Sequence, residues 1–374
     1  METIPGKSTS FGHAPEGVKR MDTGRITPGL LDRLASRVTT RGARDAHEVR
    51  LPFTGEVLGL LPVCQPEDVR AAVRTARDAQ ALWARTRYDE RARIFLRFHD
   101  LLLDRQEEVM DLIQLESGKA RRHAFEEVTG TANTVRYYVN AAQRHLRPRK
   151  KQGALPGTTT TWMYHHPLGV AGFITPWNFP LVLAVDDVVA CLLAGNGAVL
   201  KPDQQTSFTA LWALDLLLEA GLPFGLFSIV TGPGPELGPP LIEEVDYIAV
   251  TGSTETGRTV ARQAAERLIG TSLELGGKNP MIVRADANLK RAVAGAVWGS
   301  FASAGQLYMS TERIFVHRSI YEPFMRDFLQ EVRSLRLGNT LDWGPDMGSL
   351  TSERQLRKVS ELVDDAIDKG ARLL

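Results

Sequence analysis

The feature that most restricts the fold lies between residues 169 and 257, where short apolar runs alternate with helix-length segments. GVAGFI is followed by an apolar helix from 181 to 194, then AVLK, a helix from 206 to 220, LFSIV, a helix near 235 to 243, and YIAVTGS. Strand, helix, strand repetition implies right-handed crossovers between parallel strands, with helices covering both faces of the sheet. The fold class is therefore α/β, of a nucleotide-binding type, an architecture that alone gives no function.

Upstream, Asp68 to Trp83, Asp89 to Asp104 and Gln106 to Ser117 carry apolar residues at helical spacing with Asp or Glu near their starts. They read as three amphipathic helices, and a fourth runs from Arg121 to Gln143. Residues 1–45 are rich in Gly, Pro, Ser, Thr and charge, and read as a loosely held arm with one short helix around Leu30 to Arg37. RPRKKQGALPGTTTTWMYHH, residues 147–166, joins a basic run to Pro and Gly punctuation and a β-prone alternation, which predicts a projecting hairpin with a solvated basic edge.

Composition narrows the function classes. Lys plus Arg (45) balances Asp plus Glu (44), so no global field favours nucleic acid or an anionic membrane. The longest apolar stretches fall short of a membrane span, and METIPGKSTSFGHAPEG has no apolar core of the secretory kind, so the chain reads as cytoplasmic. Two cysteines argue against a disulfide framework and against a cysteine-based metal site; no metal is expected. Cys191, within VVACLLAGNGAV, reads as a small core residue, and Cys64, within LLPVCQPEDVR, as a surface or linker residue.

Two glycine clusters bear on cofactor binding. TGPGPELG, with Gly232, Gly234 and Gly238, departs from the phosphate-binding fingerprint by one extra residue and two prolines. TGSTETGR follows YIAV directly and opens a helix from Glu255 to Leu268, so its N–H groups could face a pyrophosphate. Glycines that merely close a tight turn explain either cluster equally well.

Five motifs in order change that balance: ITPWNFP (174–180), AVLKPD (198–203), TGSTETG (251–257), LELGGKNP (273–280) and GQLYMSTERIFV (305–316). Together they resemble the NAD(P)-dependent aldehyde dehydrogenase superfamily, over roughly residues 45 to 374, with succinate-semialdehyde dehydrogenases the nearest in look. The resemblance implies a Rossmann-type cofactor domain (46–146 and 167–273), an oligomerisation-type hairpin (147–166) and an incomplete α/β catalytic domain (274–374). It also implies an aldehyde substrate, NAD or NADP as cofactor, and a homo-oligomer or an assembly with homologues. In that family a cysteine thiolate attacks the aldehyde, the adduct gives hydride to the nicotinamide, and a glutamate activates water to release the acid.

Carried onto this chain, the resemblance makes Asn178 the amide that holds the developing oxyanion, worth roughly 3–4 kcal/mol in comparable sites. Glu274 becomes the general base, in a dry pocket that moves its pKa toward the working pH. Lys201 grips the adenosine ribose, and Gly252, Ser253 and Gly257 form the cofactor turn. Thr175, Pro176, Trp177, Gly232, Leu275 and Gly276 complete the cofactor set, Gly276 and Gly277 leaving the backbone free of a Cβ near the nicotinamide. Gln204 stands where NAD-preferring members often carry a glutamate, which leaves NAD and NADP both open.

The nucleophile position, 34 residues after Glu274, is Tyr308. A phenol with a pKa near 10 is a poorer attacking group than a thiol near 8.5, and its ring would fill space meant for the aldehyde. The resemblance also implies a longer C-terminal portion than this chain has. The expectation is a strongly impaired or inactive dehydrogenase that is C-terminally shortened. A non-catalytic cofactor-binding or scaffold protein that associates with intact homologues is the alternative.

Overall fold

A computed structural model describes residues 23–155 and 157–374; the first 22 residues of the expected N-terminal arm, and Pro156 of the hairpin, lie outside it. The chain opens with helix α1 (Pro28–Ala35) and strands β1 (Ala46–Arg50) and β2 (Val57–Pro62), which pair antiparallel. Four helices follow: α2 (Pro66–Trp83), α3 (Tyr88–Asp104), α4 (Gln106–Ser117) and α5 (Arg121–Leu146). Strands β3 (Arg149–Gln152) and β4 (Thr160–Met163) form an antiparallel hairpin whose basic strand is exposed at every position.

The predicted alternation then appears as β5 (Val170–Ile174), α6 (Val182–Leu193), β6 (Gly197–Lys201), α7 (Ser207–Ala220), β7 (Phe227–Ile229), α8 (Gly234–Glu244), β8 (Tyr247–Thr251), α9 (Thr254–Glu266) and β9 (Gly270–Glu274). These strands form one parallel sheet in the order β7-β6-β5-β8-β9. Strand order reverses between β5 and β8, the topological switch point at which doubly wound sheets open a crevice beyond their carboxyl ends. The last part comprises β10 (Asn279–Val283), α10 (Leu289–Phe301), β11 (Thr311–Val316), α11 (Tyr321–Ser334) and α12 (Glu353–Asp368). Here β10 and β11 pair parallel over a small separate cluster around Val283, Val293, Ala296 and Phe324.

Three expectations need correction. The stretch 23–45 is packed rather than loosely held: Leu30, Leu31 and Leu34 of α1 enter the main core, and the N–H of Thr39 donates to the carbonyl of Ile229. Helix α4 is not amphipathic, since every residue from Val109 to Ser117 is buried. Its polar side faces protein: the carboxylate of Glu116 accepts from the N–H groups of Phe208 and Thr209 (2.7 and 2.8 Å) and from Thr209 Oγ1 (2.6 Å), capping α7. Cys64 is no surface residue but fully buried, its N–H donating to the carbonyl of Thr231, and burial pushes its thiol up to about 11. Cys191 packs against the core, as the apolar helix around it predicts, with its thiol pushed up to about 12. Among the described residues no helix is long and apolar enough to cross a membrane, and no cluster of His, Cys, Asp and Glu is placed to hold a metal.

Candidate active site

The motif residues converge because each lies just beyond the carboxyl end of a parallel strand. Thr175, Pro176, Trp177 and Asn178 follow β5; Lys201 ends β6 with Gln204 three residues on; Gly232 follows β7; Gly252 and Ser253 follow β8; Glu274 ends β9, with Leu275 and Gly276 next. Parallel pairing fixes the heights: Ile174 registers with Lys201 and Val250, and Thr251 with Glu274. One rim of the sheet therefore carries them all.

Lys201 is buried, and burial lowers its pKa against the opposing pull of Asp203. Its ammonium makes one long hydrogen bond, 3.4 Å to the carbonyl of Gly232, so donors remain for a ligand. Gly232 has φ +151, and a Cβ there would meet Leu237. Ser253 caps α9, its Oγ accepting from the N–H of Thr256 at 3.1 Å, while a Cβ on Gly252 would meet nothing within 4 Å. Gly257 is buried because Leu275 packs against its α-carbon, which ties the turn after β8 to the segment after β9. The carbonyl of Gln204 lies 3.1 Å from His47 Nε2. An open glycine turn at a helix start, beside a buried lysine with spare donors at the switch point, fits a dinucleotide.

Glu274 is exposed rather than enclosed in a dry pocket. Strand β9 is the edge of the five-stranded sheet and is nowhere fully buried.

Tyr308 reaches this rim from a different element. Helix α10 ends at Phe301, and Ser303, Ala304 and Gly305 take three successive left-handed conformations, φ +50, +56 and +73. Two of the three are not glycine, a strain that persists only where the surroundings over-determine it. The surroundings here are the N–H of Ser303 donating to His123 Nδ1 (3.2 Å) and the Gln306 side chain, which donates to the carbonyl of Ser303 (3.0 Å) and accepts from the N–H of Thr351 (3.0 Å). Burial lowers the His123 pKa to about 4, so its ring is neutral and free to accept. Asn178 Nδ2 donates to the carbonyl of Gln306 at 2.9 Å, and its buried Oδ1 has no hydrogen-bond partner among the described residues. The Tyr308 ring lies 5.1 Å from that of Phe179 at 54°, and is 58% exposed. Desolvation raises its hydroxyl pKa, with Asp186 and Glu127 adding to the shift.

Beneath Phe179 lies a charge pair that sequence reasoning missed. The Lys119 ammonium sits 4.0 Å from the Phe179 ring centroid and 2.5 Å from the Glu127 carboxylate, both side chains shut off from water. Glu127 also accepts from the N–H groups of Leu181 (2.9 Å) and Val182 (3.3 Å), so it caps α6 just past PWNFP. Burial pushes Lys119 down and Glu127 up, each opposed by the other's charge. Nothing local in the sequence marks the pair, because its partners are set by tertiary packing.

The family model described as "Aldehyde dehydrogenase family" matches residues 39–374. A protein of Mycolicibacterium smegmatis, provisionally named succinate-semialdehyde dehydrogenase [NADP(+)], is 48% identical over 332 residues, covering 89% of this chain. The chain spans 64% of that relative's length. Among solved structures, an NADP-dependent enzyme of E. coli is similar with TM-score 0.86 and 33% identity, covering 90% of this chain and 71% of that one. The NAD+ complex of an aldehyde dehydrogenase from Bacillus cereus gives TM-score 0.86 and 32% identity, covering 93% and 73%.

Proposed function

The chain belongs to the aldehyde dehydrogenase family, and from that premise we propose that it binds NAD+ or NADP+ at the strand ends but oxidises aldehydes poorly or not at all. The observation that carries this reading is the placement of Tyr308 against the Phe179 ring, two residues after the Gln306 carbonyl that Asn178 holds, at the position where the family reaction needs a thiolate. When bound, the cofactor supplies a hydride acceptor. Lys201 would hold the ribose hydroxyls, and Gly252 and Ser253 would offer backbone N–H groups to the pyrophosphate. Leu275 packs on Gly257, and Gly276 and Gly277, which follow it, would line the nicotinamide end of the site without a Cβ. Gln204, a neutral amide, tolerates a 2′-phosphate, in keeping with the NADP-named relatives.

In the same frame Asn178 Nδ2, which now donates to Gln306, turns to the developing oxyanion, and Glu274 takes a proton from water. The step that fails is attack. A phenol of pKa about 10 is only about 0.1% ionised at neutral pH, and burial of Tyr308 lowers that fraction further. The substrate class, by likeness to the relatives, is a semialdehyde such as succinate semialdehyde, and the place of action the cytoplasm.

A second reading, a scaffold that joins intact homologues through the hairpin, draws on Trp162 and Tyr164, both more than half exposed on and beside β4. Calorimetric titration with NAD+ and NADP+, followed in the same cell by absorbance at the reduced-nicotinamide band after adding succinate semialdehyde, separates the two. Binding without an absorbance rise is expected; a rise overturns the reading of Tyr308, and no binding favours the scaffold.

A further inference from the structure

The turn after β6, which carries Gln204, is held from outside the parallel sheet. Exposure alternates along β1, so His47 and Val49 face inward while Ala46, Glu48 and Arg50 face water. His47 Nε2 meets the carbonyl of Gln204 at 3.1 Å, and Gln205 Nε2 donates to the carbonyl of Arg50 at 2.7 Å. A carbonyl can only accept, so His47 carries a proton on Nε2. The other ring nitrogen, Nδ1, is buried and has no hydrogen-bond partner among the described residues, so the polar contact of this ring is the one to Gln204. In a continuous helix the N–H of Phe208 would return to the Gln204 carbonyl; here it goes to Glu116 at 2.7 Å. The carbonyl is left short of a helical donor, and His47 supplies one from 157 residues away.

We infer that His47 biases the site toward NADP+ over NAD+ by occupying the Gln204 carbonyl. The inference rests on the reading of the strand ends as a dinucleotide site with Gln204 at the ribose 2′ position. There the two cofactors differ by one group: a hydroxyl, which can donate a hydrogen bond, or a phosphate, which is anionic and accepts. A carbonyl released from His47 offers free lone pairs to that group, and these attract a hydroxyl and repel a phosphate. With the carbonyl taken up by His47, the neutral side-chain amide of Gln204 is the group left to meet the cofactor. His47 is thus a positioning residue that acts through Gln204 and need touch neither cofactor.

Calorimetric titration of the full chain with NAD+ and with NADP+ tests this without requiring turnover. His47→Phe keeps a ring and removes the donor, His47→Asn is too short to reach the carbonyl, and His47→Gln puts an amide N–H where Nε2 lies. In the first two, NADP+ affinity should fall about three- to tenfold, the worth of one hydrogen bond, while NAD+ affinity holds or rises. His47→Gln should bind both as the wild type does. Gln205→Met cuts the neighbouring tether, leaves the Gln204 carbonyl occupied, and should not change the preference. Circular dichroism shows which variants are folded, and if His47→Phe is not, the comparison of His47→Asn with His47→Gln decides. Equal loss of both cofactors in His47→Asn, an unchanged ratio, or a His47→Gln that behaves as His47→Asn overturns the inference while leaving the cofactor site in place. A wild type that binds neither dinucleotide overturns the cofactor reading, and this inference with it.

Discussion

Replacing Glu127 by alanine should be among the costliest single changes in this chain. The variant leaves the Lys119 ammonium without its partner where 1% of its side chain meets water, and deprives Leu181 and Val182 of an acceptor at the start of α6. Breaking a buried pair by removing one member costs about 3–5 kcal/mol, and an orphaned buried donor about 1–3 kcal/mol. Lys119 can relieve part of this by losing its proton, the direction in which burial already drives it. A net loss of about 4 kcal/mol is expected, read as the shift in urea-unfolding free energy followed by circular dichroism. Glu127→Leu combined with Lys119→Met removes both charges, and should recover at least half of that loss. Because Lys119 lies against the Phe179 ring, the single variant should also loosen the Phe179–Tyr308 contact, seen as a change in near-ultraviolet aromatic signal. A single-variant cost below about 1 kcal/mol, or a double variant as damaged as the sum of its parts, would refute the pairing argument.

Asp186 donates no charge to a partner; it accepts from Thr134 Oγ1 at 2.9 Å, and desolvation pushes its carboxyl up to about 7. Its folded pKa exceeds its unfolded value, so its cost is absent below about pH 4, grows as pH rises to about 7, and is constant above. Asp186→Asn should therefore stabilise the fold by roughly 1–3 kcal/mol at pH 8 and by little at pH 4, measured as paired thermal melts; equal effects at both pH values would contradict this. Glu116→Ala removes the cap of α7 and orphans two N–H groups, with an expected loss of about 2–4 kcal/mol in denaturant titration. Gly257→Val drives a side chain into Leu275, and should weaken NAD(P)+ binding about tenfold or more in calorimetry while the overall helix content is kept; unchanged affinity would separate that turn from the cofactor.

The helices and parallel strands were legible because their signals are local: apolar spacing of 3.6 for α2, α3 and α5, and short apolar runs that end at Pro or Gly within two residues for β5, β6 and β8. What was not legible depends on distant partners. Glu116 meets α7 some 92 residues on, and Glu127 meets α6 some 54 residues on, so neither carboxylate could be told from a solvated one. Cys64 is buried because the chain returns as Thr231, and the first helix is held by α7, which nothing in its own composition announces. The motif residues were found by resemblance, and their common rim follows from strand order. The left-handed turn at Ser303 and Ala304 gave no residue-level signal, since neither residue type favours that conformation.

The role of Tyr308 is tested most directly by comparing the wild type with Tyr308→Phe for reduced-nicotinamide formation from succinate semialdehyde and NADP+. If the phenol neither attacks nor donates, the two proteins behave alike and the absorbance stays flat in both. Turnover by the wild type that vanishes in Tyr308→Phe would contradict this, and would make the tyrosine oxygen a working group of the site.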